Sequence, residues 1–202
     1  MKKTLLTFTL VALGSLSAWG DVIPYPDVGT IAPTVPLIAT TTGDIDGYFY
    51  GFSAGDLDLV QMCDITQGTC SAFGLANQST TVGTEDDFGP VVAGDVIAFN
   101  LENTATSNTI LSSDPSLSAD GINHAYVTAY TDTGSTAVAG IPPGLFVGME
   151  DLSLSQGTDL DYNDDQFVFT NVSMNVVPEP SLVILCAGLV ALLPVARRKF
   201  GM

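Results

Sequence analysis

Oxygen-bearing side chains crowd two short stretches of this chain. They are Glu150-Asp151 and Asp159-Leu160-Asp161-Tyr162-Asn163-Asp164-Asp165, the second directly ahead of the apolar run Phe167–Phe169. Alternate residues of a curved loop can turn their carboxylates toward one centre, and Ca²⁺ accepts roughly six to eight hard oxygens in flexible geometry. The candidate calcium ligands are therefore Glu150, Asp151, Asp159, Asp161, Asn163 and Asp164. The pattern is not an EF-hand: the sixth residue counted from Asp159 is Asp164 where that loop needs Gly, and the twelfth is Thr170 where it needs Glu. The alternative is a solvated acidic turn whose Asp and Asn side chains cap loop amides.

Other chemistry has less to work with. His124 is the single histidine, so any Ser/His/Asp or Cys/His arrangement has to use it. Asp120 and Ser118 lie near it, no Gly-x-Ser-x-Gly nucleophile elbow is expected in the chain, and a structural histidine opening a strand is the expectation. Zinc is disfavoured because one His and a paired Cys63 and Cys70 leave only carboxylates. Hydrolysis of a glycoside by two carboxylates needs no basic residue and stays open as a third reading. Sugar binding needs aromatic platforms; Trp19 lies near the N-terminus, leaving Tyr48, Tyr50, Tyr126, Tyr130 and Tyr162, which pack equally well within sheets. The chain is expected to be non-catalytic, with no catalytic residues assigned.

The elements that must position the acids read as strands. From Gly43 onward, short Tyr-, Phe-, Val- and Ile-rich runs are separated by Gly, Asp, Asn and Ser, without helical spacing of apolar residues. Expected strands are Tyr48–Phe52, Leu57–Cys63, Val96–Leu101, Ala125–Tyr130, Leu145–Met149 and Gln166–Met174, with weaker ones at Ala72–Leu75 and Thr109–Leu111. Gly43-Asp44, Asp46-Gly47, Gly55-Asp56, Gly94-Asp95 and Asp120-Gly121 are the expected turns. About eight strands suit an all-β fold, an antiparallel β-sandwich or jelly-roll-like domain. In the segment between the terminal signals, Cys63 and Cys70 are the only cysteines and are expected to close a local disulfide in an oxidising exterior.

Charge is distributed with unusual asymmetry. The five basic residues are Lys2, Lys3, Arg197, Arg198 and Lys199, whereas all 22 acids fall between Asp21 and Glu179. That stretch carries 22 negative charges and no Lys or Arg, with His124 neutral. Nucleic acid is excluded as a partner, because phosphate binding rests on cationic side chains. No Lys or Arg can neutralise a carboxylate there, so folding works against self-repulsion, and divalent cations are the natural remedy.

The termini read as addresses. Lys2 and Lys3 precede an apolar stretch from Leu5 to Leu13, and Ala18-Trp19-Gly20 offers small residues where a signal peptidase reads, so residues 1–20 are expected to be a cleaved signal peptide. Residues 21–42, with Pro24, Pro26, Pro33 and Pro36 among Thr, Ala and Gly, read as a linker. Residues 43–176 form the expected β domain, and residues 177–202 a sorting segment. The last begins with Val177-Pro178-Glu179-Pro180, continues through an apolar stretch from Leu182 to Ala196 and ends in Arg197-Arg198-Lys199. About 15 apolar residues span only ~22 Å as a helix, a length suited to transient membrane insertion, with the basic end held on the cytoplasmic side.

This tail resembles the PEP-CTERM sorting signal of bacterial exported surface and matrix proteins. The resemblance implies recognition and cleavage by a membrane sorting transpeptidase, and a destination in the cell envelope, at the cell surface or in the extracellular polysaccharide matrix. The body resembles a bacterial extracellular β domain of unknown function that often occurs in such proteins. Gly148-Met149-Glu150-Asp151-Leu152 followed by Asp159-Leu160-Asp161-Tyr162-Asn163-Asp164 carries that likeness, and Asn123-His124 fits it. It covers residues 94–172 clearly and reaches back more loosely to Tyr48–Leu59. It implies a surface module using calcium and supplies no reaction. Asp165 departs from the pattern, standing where an apolar residue more usually begins the strand.

Overall fold

The computed structural model describes residues 23–175; the expected signal peptide and sorting segment, with its motif, apolar stretch and basic end, lie outside the described residues. Among the described residues, eleven strands form two antiparallel sheets, the arrangement of a β-sandwich. They are β1 (Leu37–Ala39), β2 (Gly43–Phe52), β3 (Asp58–Asp64), β4 (Thr69–Cys70), β5 (Glu85–Val91), β6 (Val96–Asn103), β7 (Thr109–Ser112), β8 (Ala125–Tyr130), β9 (Gly144–Met149), β10 (Asp165–Phe169) and β11 (Val172–Met174). One sheet runs β11-β1-β6-β3-β4, with β7 also on β6; the other runs β5-β2-β10-β9-β8. Among the described residues no helix is long and apolar enough to cross a membrane.

Alternation of side chains along β10 explains both layers of the core. Phe167 and Phe169 point between the sheets, where Phe169 stacks on Phe99 of β6 at 3.8 Å between ring centroids and Phe167 meets Phe49 of β2. Val168 points the other way, into a second cluster with Tyr48, Tyr130, Ile141 and Phe146, over which Ile23 and Tyr25 fold. A strand covered on both faces has no polar side to show, hence the unbroken Phe-Val-Phe run. In β8, Ala125 and Val127 join the inner core while Tyr126 and Tyr130 join the outer cluster, the two faces that alternation predicts.

Several sequence expectations give way. Gly43-Asp44 and Asp46-Gly47 are not turns but lie inside β2. A Cβ on Gly47 would collide with the rings of Phe88 and Phe169, so this glycine admits aromatic packing instead of a bend. The single strand expected over Gln166–Met174 is divided: Asn171, at φ 56°, carries the chain from β10 to β11 in the opposite sheet. Its Oδ1 accepts hydrogen bonds from Thr41 N at 2.8 Å and from the hydroxyls of Thr40 and Thr41, which fixes the crossover. Ala72–Leu75 supplies only an isolated bridge between Gly74 and Val60. The stretch read as a linker contains β1, paired with both β6 and β11, and buries Ala32 and Leu37.

Strand β5 escaped the sequence reading because Glu85-Asp86-Asp87 and Pro90 are poor strand formers. It lies at the edge of its sheet, where charge and proline are compatible with pairing on one side only. The short β4 is tied to β3 by the Cys63–Cys70 disulfide, across directly opposed positions.

Candidate metal centre at one end of the sandwich

The acids gather where strands of both sheets begin or end. β9 stops at Met149 and β10 starts at Asp165, directly opposite in register, so the loop 150–164 closes that end of the five-stranded sheet. In the other sheet β3 begins at Asp58, paired with the last residue of β6, Asn103. Two groups of carboxylates result.

The outer group is built around Glu150, whose side chain is fully buried. Its carboxylate accepts hydrogen bonds from Leu160 N at 3.0 Å, from Tyr162 N and from the Thr158 hydroxyl. Leu160 and Tyr162 adopt left-handed backbone conformations, at φ 54° and 58°. Each costs roughly 1–2 kcal/mol for a residue with a Cβ, and together they turn alternate amides inward onto Glu150. Their side chains go inward as well: Leu160 and Tyr162 pack with Ala32, and the Tyr162 hydroxyl accepts a 2.7 Å bond from Ala32 N. Asp159, Asp161 and Asn163 alternate with them and remain more exposed. Gly148 makes the loop possible, since a Cβ there would strike the Tyr162 carbonyl.

Glu150, Asp159 and Asp161 bring one oxygen each within 4.8 Å of one another, the one such triad among the described residues and a group able to hold a metal ion. Burial pushes Glu150 above the usual carboxylate range, against the opposing pull of Thr158 and the Tyr162 and Leu160 amides. A cation bound beside it would hold it ionised. Asn163 donates to Asp161 through both its backbone and side-chain nitrogens, and its Oδ1 accepts from the Ser53 hydroxyl.

The structure separates Asp151 and Asp164 from this triad. They turn to an inner group containing Asp56, Asp58 and Asp165, with Asp164 Oδ2 accepting from Asp151 N at 3.2 Å. Asn77 donates to Asp58 Oδ2 at 3.0 Å and to Asp165 Oδ2 at 3.5 Å, while Asn103 bridges Asp56 Oδ2 and the Asp151 carbonyl, each at 3.0 Å. Asp58 and Asp165 are 1% and 0% exposed. Burial raises Asp58, Asp151, Asp164 and Asp165 well above the ordinary carboxylate range, and repulsion among them adds to it, most strongly at Asp165. Sequence reasoning missed Asp56, Asp58, Asn77, Asn103 and Asp165 as members of the site. The available signal was an acid at the first position of an apolar strand, at Asp58 and again at Asp165.

His124, fully buried just before β8, faces Asp120 through Nε2 at 2.9 Å, and Asp120 also accepts from Leu154 N at 2.9 Å. Burial opposes ionisation of Asp120, yet the Leu154 amide and His124 together hold it below the usual range. The pair ties the 120–124 turn to the acidic loop, and Glu150 N donates to the His124 carbonyl at 3.0 Å. Ser118 is bonded to Ser112. Contrary to the expectation of no such motif, Gly51-Phe52-Ser53-Ala54-Gly55 has the Gly-x-Ser-x-Gly spacing of a nucleophile elbow. It runs from β2 into a loop before β3 with no helix following, and its serine bonds Asn163. A groove of about 450 Å³ is lined by Tyr48, Glu85, Asp132 and residues 138–142, but Tyr48, its one aromatic ring, is only 8% exposed.

Comparison of the chain with protein-family models, with curated proteins and with solved structures finds no match.

Proposed function

We propose that this chain is an exported, non-catalytic β module of the bacterial cell surface or extracellular matrix, whose acidic end loop binds calcium. The observation that carries this reading is the convergence of Glu150, Asp159 and Asp161 in a segment with no Lys or Arg to neutralise them. All-oxygen donors, without available thiolate or histidine, favour a hard divalent cation over zinc or copper. The terminal segments supply the address: a signal peptide brings the body across the membrane, and a sorting transpeptidase acts at Val177–Pro180.

Thermal unfolding of the full chain with calcium and with excess chelator tests the reading. Calcium at about 100 times its Kd adds roughly 2.7 kcal/mol, or roughly 5–10 °C in a domain of this size. Asp159→Asn and Asp161→Asn are expected to remove the share of that gain due to the outer triad; equal melting with calcium and chelator refutes it. A carbohydrate-binding module of the exopolysaccharide matrix is the second reading, favoured by the groove beside Tyr48 and weakened by the lack of an exposed ring face there.

A further inference from the structure

The inner acids pose a sharper problem than the outer triad. Asp58 opens β3 in one sheet and Asp165 opens β10 in the other, and their carboxylates face each other within hydrogen-bonding range at 1% and 0% exposure. Asn77 occupies the Oδ2 side of both. The Oδ1 atoms of Asp58 and Asp165 have no hydrogen-bond partner, although both are buried. Asp151 and Asp164 form a second facing pair alongside them. An unpaired buried charge costs several kcal/mol even after relaxation, and buried polar atoms nearly always have partners. Side-chain amines and guanidinium groups are absent from the whole stretch between Asp21 and Glu179.

We propose that Asp58, Asp151, Asp164 and Asp165 form a second, buried divalent-cation site, with calcium as its occupant and the Oδ1 atoms of Asp58 and Asp165 among its ligands. The ligand set is separate from the outer triad, since Glu150 directs its oxygens to the loop amides. Calcium fits because every donor is a hard oxygen and because its shell tolerates irregular angles and mixed mono- and bidentate carboxylates. No three of these oxygens lie as close together as those of the outer triad, so binding requires the side chains to reorient onto the ion. The site joins three parts of the fold: the first residue of a strand in each sheet and both ends of the 150–164 loop. The ion thus cross-links the two sheets at their acidic end, where the outer site orders only the loop. This inference extends the calcium reading above to a second ligand set and stands or falls on different residues.

Calcium titration of the metal-stripped full chain, read by isothermal calorimetry, provides the test. The wild type is expected to bind two ions per chain. Asp165→Asn and Asp58→Asn, which keep side-chain shape while removing one charge, are each expected to lose one ion or weaken it at least tenfold, leaving the other unchanged. Asp159→Asn is expected to lose the complementary ion. Melting of each variant in chelator verifies folding, and two separate inner-site variants guard against one failing to fold. Wild-type stoichiometry of one, with both inner-site variants still binding that ion at wild-type affinity, overturns the inner site while preserving the outer. Loss of both ions in Asp159→Asn likewise overturns the inner site as an independent centre. One ion lost in the inner-site variants, with Asp159→Asn and Asp161→Asn unaffected, supports it and overturns the outer site instead. No calcium binding by the wild type overturns both.

Discussion

Replacing Glu150 by Gln separates the two jobs its carboxylate can do, organising the loop and holding an ion. In the folded chain it accepts from the Leu160 amide, the Tyr162 amide and the Thr158 hydroxyl, all within the loop it anchors. A Gln of the same shape keeps one acceptor oxygen but puts an NH₂ group where the second oxygen met a donor, so one or two of these bonds become donor against donor. Hydrogen bonds to a charged acceptor contribute about 1.5–3 kcal/mol each. Removing a buried charge returns part of this, because burial already disfavours the ionised form. The net loss is about 2–4 kcal/mol, equivalent to roughly 5–15 °C in melting temperature. The measurement is differential scanning calorimetry of the full chain in excess chelator, with hydrogen exchange at Leu160 and Tyr162. Both amides are expected to exchange faster in the variant, because the left-handed conformations at 160 and 162 lose the acceptor that holds them. A melting temperature within ~1 °C of wild type, with exchange at those amides unchanged, refutes the role of Glu150 as loop organiser. A loss seen only when calcium is present assigns it to metal binding alone.

Acidification gives the metal-free protein an unusual profile. Burial, joined by repulsion from neighbouring acids, pushes Asp58 and Asp151 up to about 6 and Asp164 up to about 7. The folded chain therefore keeps protons that the unfolded chain releases near pH ~4. Stability is fully present below the unfolded value and is lost as pH rises through about 6 to 7. A two-unit rise corresponds to about 3 kcal/mol for one site, so stripped protein is expected to melt several degrees higher at pH 5 than at pH 7.5, and a slope of opposite sign contradicts the cluster. Gly148→Ala drives a Cβ into the Tyr162 carbonyl, and overpacking of this kind costs about 1–3 kcal/mol. Calorimetry is expected to show that loss together with weaker calcium binding at the outer triad, whereas wild-type behaviour would show that the loop can move aside.

Much of the fold is legible locally. Alternation along Ala125–Tyr130 defines β8 with the bounds the structure has, and the apolar runs at Val96, Leu145 and Gln166 mark where β6, β9 and β10 lie to within a residue or two at their starts. The failures are equally physical. Glycine beside aspartate reads as a turn at Asp46-Gly47 until Phe88 and Phe169, distant in the chain, are seen to need the space a side chain would fill. Residues 21–42 read as linker because three-residue β1 carries too short a pattern to register alone, and its pairing with β6 and β11 is what makes it a strand.

Composition and period-two alternation are properties of neighbouring residues, so the all-β character, the excess of acid without a balancing base and the crowding of oxygens at 150–165 are all readable along the chain. Which acids meet depends instead on contacts between distant segments. Asp151 and Asp164 leave their loop neighbours for Asp58, more than ninety residues earlier, because β3 and β10 begin at the same end of the two sheets. The left-handed turns at Leu160 and Tyr162 commit Glu150 to the loop amides. Strand order across two sheets and the sign of a few backbone dihedrals set these meetings, and neither is written in the spacing of charges along the chain.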